Sequence, residues 1–334
     1  MEVSKKLLHQ MLSASDTSYV IPLYQRNYDW KEEHCRQLFT DLITLMRTPS
    51  RGTHFFGSIV SRQASLSSPD HFIIDGQQRI TTVSILLLAL YNARCNGDIK
   101  YSDEKKKEKI RNRYIVDEYA ETERKLKLKP IKKDMEAYDN LLYNNETMFI
   151  EGSNITRNYR LFYNWIKSDV HMLEDYLNSI ERLLVIDIRL DEPDDPQLIF
   201  ESLNSTGKDL DEADKIRNYL LMSLSNEEQE YYYNNYWNNI EQATDYAPTM
   251  FIRDYLTLKS RNISKIENLY SIFKKYMETK GITRQVILED LLKYAKYYEL
   301  VQKASSQDIN LNKKLKQLTV LGSDVTPKSW TVKH

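Results

Sequence analysis

The chain has 334 residues, 41% hydrophobic and 28% charged, with 47 Lys and Arg against 48 Asp and Glu and a formal net charge of −1. Such a chain can bury a sizeable core and fill two domains, and its charge balance excludes a global pull toward nucleic acid or an anionic membrane, so any such contact has to be a local patch. Eight Gly and eight Pro exclude a loop-rich or repeat-built β protein and favour long helices.

Cys35 and Cys95 are the only cysteines and stand in no paired spacing, which points to a reduced, cytoplasmic setting. The N-terminus carries no signal pattern, and the longest apolar run, residues 85–90, is too short to span a bilayer. In chain order, residues 5–12 read as a short amphipathic helix, and Ile21-Pro22 sets an extended entry to a block that crowds Tyr24, Gln25, Arg26, Tyr28 and Trp30. Residues 31–46 have helical spacing. Residues 55–61 read as a strand in which Gly57 marks a bulge or clears room for a ligand, with Ser58 beside it.

Phe72 to Ile74 reads as the end of a buried strand and residues 80–90 as an apolar helix, so Asp75-Gly76-Gln77-Gln78-Arg79 sits at a strand-to-helix turn. There the first helical N–H groups lack intrahelical partners and face outward with the positive end of the dipole, which suits an anion. Arg79 adds a permanently charged fork for phosphate, while Gln77, Gln78, Thr81 and Thr82 supply neutral donors and acceptors. Asp75 repels a phosphate unless a cation or water intervenes, so it reads as a handle for Mg²⁺ or water. The bland alternative is an Asp-Gly turn with a surface ion pair.

Thirteen Lys or Arg against seven acids in residues 100–133 could track a phosphate backbone, though such runs are more often solvated faces. Residues 125–129 alternate Lys and Leu, as a strand with its lysines on the wet side does. Asp134 is placed to cap a helix over 135–143, residues 154–168 and 171–184 continue in helical register, and 183–190 alternate as a strand. Residues 198–203 read as a helix, Asn204-Ser205-Thr206-Gly207 as a turn, and 212–224 as a helix carrying Asp214 and Arg217. Residues 226–334 read as tyrosine-rich helices.

Asp75-Gly76-Gln77-Gln78-Arg79 resembles the signature of GmrSD-type restriction proteins, whose N-terminal nucleotidase region is similar to the ParB and sulfiredoxin fold. Three further blocks agree in order: Ile21 to Trp30, Phe55 to Val60 and Ile199 to Leu210, so the likeness spans about residues 1–225. It implies an α+β chain: a ParB/sulfiredoxin-like α/β domain over 1–95, a mostly helical domain over 96–225 that completes the site, and a helical region over 226–334.

It also implies binding and hydrolysis of a nucleoside triphosphate with Mg²⁺ in defence against modified foreign DNA. Asp75, Gln78 and Arg79 would be the catalytic set, with Asp75 on the metal. Tyr24, Gln25, Arg26, Gly57, Ser58, Gly76, Gln77, Thr81, Thr82, Asn204, Gly207 and Lys208 would line the nucleotide, with Asp214 or Arg217 as support. The chain departs from longer relatives that carry an HNH-type nuclease region: its six histidines are scattered. It is therefore expected not to cut DNA alone, with a nuclease as a separate partner. The competing classes are a non-enzymatic sensor of modified DNA, in which the same pocket holds a DNA phosphate, and a scaffold for a partner nuclease.

Overall fold

The computed structural model describes all residues except 49, 51, 66, 118–125, 205–209, 263 and 321–334; of 203, 204 and 318–320 only the backbone is described. The fold is α+β. It divides into two units, Met1–Pro196 and Gln197–His334.

The first unit runs β1 (Glu2–Leu7), α1 (Leu8–Leu12), β2 (Ser18–Val20), α2 (Glu32–Arg47), β3 (His54–Gln63), β4 (Asp70–Asp75), α3 (Gln77–Asn96), α4 (Lys106–Ile110), β5 (Leu128–Lys129), α5 (Lys132–Leu142), α6 (Asn154–Ser168), α7 (Leu173–Ile180) and β6 (Leu183–Leu190). Its six strands lie in the order β1-β6-β3-β4-β2-β5. β4 is inside the sheet, antiparallel to β3 and parallel to β2, so the Asp75 turn leaves from the middle rather than an edge.

α3 explains why this sheet and these helices form one body. Fifteen of its twenty residues are buried, and a helix apolar on all sides has to be wrapped rather than laid on a surface. α2, α5, α6 and α7 share its core, with Leu38, Leu42, Tyr138, Phe162 and Tyr176 all at 2% exposure or less. Each such fully buried side chain contributes about 1.5–3 kcal/mol, which sets the first turn of α3 on an immobile platform.

Two readings of the sequence are corrected here. Residues 2–7 are a strand, because Glu2 to Leu7 pair antiparallel with Arg189 to Leu184; the helical spacing of 5–12 survives only in α1. The lysines near β5 are not all on the wet side: Lys127 is 3% exposed, donating to Asp117 (2.7 Å) and to the Ala14 carbonyl (2.6 Å), and Lys129 pairs with Asp70 at 2.7 Å. A buried amine has to be paired, so Lys127 is spent inside the fold, while Lys129, partly exposed, is engaged with Asp70.

The second unit is helical among its described residues: α8 (Pro196–Asn204), α9 (Glu212–Leu221), α10 (Asn226–Tyr232), α11 (Asn238–Ala243), α12 (Pro248–Ser260), α13 (Leu269–Lys280), α14 (Arg284–Lys303) and α15 (Ile309–Val320). At its centre Arg217, 6% exposed, is held by Asp214 (2.7 Å) and Glu241 (2.8 Å), and Glu241 also accepts from Trp237 Nε1 at 2.8 Å. Asp214 and Arg217 therefore form an ion network within their own unit. No described helix is long and apolar enough to cross a membrane.

Candidate functional site

β4 ends at Asp75, and Gly76, at φ +91°, swings the chain into α3. A Cβ at Gly76 would lie 2.8 Å from the Ser58 carbonyl oxygen and 3.1 Å from Ile59 Cα, so only glycine lets this turn press against β3. β3 returns the fit. Its register against β6 shifts between Phe55 and Gly57, Gly57 takes φ +113°, and a Cβ there would lie 2.6 Å from Arg79 Nε and 3.0 Å from Cζ.

The two glycines thus serve one guanidinium, which lies against the Gly57 backbone while its Nη1 donates to the Ser58 carbonyl at 3.1 Å. Asp75 Oδ2 is 3.8 Å from the same nitrogen, too long for a hydrogen bond. The Arg79 and Asp75 side chains are 33% and 26% exposed, so an incoming ligand can reach both. Gln77, on the first turn of α3, is buried at 6%.

The block around Tyr28 has no regular structure, yet it is held. Gln78 Oε1 accepts from the amides of Asp29 (2.9 Å) and Trp30 (3.2 Å), while Gln78 Nε2 donates to the Asn27 carbonyl at 3.2 Å. Asp134 Oδ2 accepts from Tyr28 N at 2.7 Å. From α6, Asn154 donates to the Tyr28 carbonyl (3.1 Å) and Asn158 to the Trp30 carbonyl (2.7 Å). Just upstream, Gln25 Nε2 donates to the Ile74 carbonyl at 2.7 Å. The block is therefore tied to the strand before Gly76 and to the helix after it.

Several expected contacts fall behind this surface. Gln78 spends its amide on the loop, and Gln25 spends its own on β4. Thr82, fully buried, donates to the Gln78 carbonyl and hydrogen-bonds the Tyr28 hydroxyl, both at 2.7 Å. Thr81 is 1% and Tyr24 3% exposed, so both are buried. Arg26 is half-buried, and its Nε is shielded without a hydrogen-bond partner among the described residues. Gly207 and Lys208 lie outside the described residues, and Asn204 is described only as the last backbone position of α8. Among the described residues no group of three His, Cys, Asp or Glu is arranged to hold a metal.

Neither Asn154 nor Asn158 stands out in the sequence, and Asp134 does so only as a cap for the helix that follows it. Asp134 lies in the first turn of α5, which begins at Lys132, and does not cap it. One signal for Asn158 was available: it falls on the apolar stripe of α6 with Ile155, Tyr159 and Phe162, where a polar side chain has to have a partner.

Burial pushes the Asp134 carboxyl from 3.8 up to about 6, against the opposing effects of the Tyr28 amide and Lys133. Between about pH 4 and 6 the folded chain holds a proton that the unfolded chain has released, so this group's effect on stability turns unfavourable as pH rises through that window and stays so above it. Asp134→Asn keeps an acceptor for Tyr28 N and removes the charge. With about 1.4 kcal/mol per pKa unit and a discount for partial exposure, it is expected to gain about 1–2 kcal/mol at pH 8 and nothing below pH 4, read from urea midpoints at both values.

Taken together, these features define an α+β domain built round an arginine-bearing strand-to-helix turn that is braced by a side-chain-clamped loop. The chain belongs to the family of the GmrSD restriction endonuclease N-terminal domain, whose profile matches residues 8–221. It is also 24% identical over 310 residues to an uncharacterized protein of Methanocaldococcus jannaschii, in a match covering 79% of this chain and 51% of that protein. The chain thus spans about half the length of this curated relative.

Proposed function

We propose that the turn binds the terminal phosphates of a nucleoside triphosphate as its Mg²⁺ complex and hydrolyses it, as the nucleotide-dependent component of a modification-dependent DNA restriction system. The observation that carries the reading is Arg79, a reachable guanidinium held against Gly57 at the N-terminus of α3. Fork, dipole and free amides all favour one dense anion.

A single half-buried carboxylate, Asp75, suits a Mg²⁺ that arrives on its phosphates, since Mg²⁺ takes one or two protein carboxylates and keeps water. In the hydrolysis a water adds to the terminal phosphorus, the bridging P–O bond breaks and the diphosphate leaves with the bond's electrons. Asp75, partly exposed beside the guanidinium, would orient that water or its metal, and the water's proton passes to solvent. Cleavage of DNA is assigned to a nuclease outside this chain.

The test is titration of the purified chain with each of the four ribonucleoside triphosphates plus Mg²⁺, with and without modified duplex, following heat and released phosphate. Three or four charge-assisted hydrogen bonds support a Kd near micromolar, about −8 kcal/mol, after ordering costs. Asp75→Ala is expected to bind with little change and turn over slowly. Binding without phosphate release under any condition transfers the site to the sensor reading, and no binding of either ligand leaves the scaffold.

A further inference from the structure

We propose that the loop 27–30 is a prefixed wall of this site and that Gln78, Asp134, Asn154 and Asn158 are its positioning residues, acting on the ligand only through the loop. The inference deepens, and rests on, the nucleotide reading above. Four consecutive residues outside helix and strand have six backbone groups taken by side chains: the Asn27 carbonyl, the Tyr28 amide and carbonyl, the Asp29 amide, and the Trp30 amide and carbonyl. The donors and acceptors come from α3, α5 and α6, so no single element could hold the loop alone.

Surface loops ordinarily leave such groups to water. Here the ordering entropy is met on folding rather than on binding, which is what a preformed binding wall requires.

The wall stands beside the turn because the residue that clamps it is the neighbour of Arg79. Gln78 bonds three loop groups, and the Gln25 bond to the Ile74 carbonyl fastens the other end, so the loop is tied to both sides of the turn that carries Arg79. Between these anchors stands Arg26, whose shielded Nε has no acceptor among the described residues. The Asn27 side chain remains exposed while its backbone is fixed, and the exposed Asp29 carboxylate is paired with Lys31 at 2.5 Å.

The experiment combines residue-resolved hydrogen exchange of the free protein with calorimetric binding of each of the four ribonucleoside triphosphates with Mg²⁺. Two variants break the clamp from different helices, Gln78→Met and Asn158→Leu, so that one remains if the other does not fold. For Gln78→Met the expected result is at least tenfold faster exchange at the Asp29 and Trp30 amides, unchanged exchange across β3 and β4, and about tenfold weaker binding. Asn158→Leu should weaken binding in the same direction. Gln78→Glu keeps the acceptor and should restore slow exchange at those two amides, which a general loss of packing would not do.

Faster exchange with wild-type affinity overturns the wall while leaving the nucleotide reading intact, and unchanged exchange in Gln78→Met overturns the clamp. Wild-type protein that binds none of the four overturns the nucleotide reading and the wall's role with it.

Discussion

Gly76→Ala is expected to cost about 2–5 kcal/mol of folding stability, a large part of the roughly 5–15 kcal/mol that a domain has in total. Two effects add. An L-residue at φ +91° lies in the left-handed region at a cost of about 1–2 kcal/mol. The new methyl would also stand 2.8 Å from the Ser58 carbonyl and 3.1 Å from Ile59 Cα, and an overpacked contact adds about 1–3 kcal/mol. Backbone is what it meets, and β3 cannot retreat, because it is paired with β4 on one side and β6 on the other.

Gly97→Ala is the control. That glycine also has a positive φ, +76°, but nothing lies within 4 Å of its added Cβ, so it should show the backbone cost alone. Urea midpoints of the two variants measure the difference. If they lose the same stability, the close approach of turn and strand is not what selects glycine at 76.

The elements that were legible in the sequence were those whose pattern is local. β6 has the bounds that its alternation gave, residues 183–190, and the strand at 72–74 and the helix after it widen only at their ends. The Asp75 turn was legible because its strand and helix periods meet there. What escaped is non-local. β1 is a strand only because β6 lies beside it some 180 residues later, and Lys127 reads as a solvated lysine until Asp117 and Ala14 are seen round its amine.

The loop clamp failed to show for the same reason. Tyr28 meets Asp134 and Asn154 across separations of 106 and 126 residues, which no spacing rule reaches. The site was therefore half legible: Asp75, Gly76, Arg79 and Gly57 come together as the sequence suggested. Gln78, Thr81, Thr82 and Gln25 share the neighbourhood but face inward, because a residue type that can bind phosphate can equally satisfy a buried carbonyl.

Arg79→Ala is expected to weaken triphosphate binding by about 100- to 10,000-fold while the protein stays folded. A guanidinium that grips a phosphate through two nitrogens makes two charge-assisted hydrogen bonds at about 1.5–3 kcal/mol each, and about 1.4 kcal/mol is a factor of ten. The structural cost is small by comparison. The side chain is one-third exposed and makes one backbone hydrogen bond, to Ser58, so about 1 kcal/mol of stability is at stake. Thermal melting should therefore move by only a few degrees.

Arg79→Lys sharpens the test, since it keeps the charge and loses the fork: its binding should fall between the other two. Calorimetry of wild type and both variants under one salt condition reads all three affinities. Wild-type binding in the alanine variant would mean that the guanidinium seated on Gly57 is a brace for β3, and that the turn's amides or another part of the chain hold whatever phosphate the protein takes.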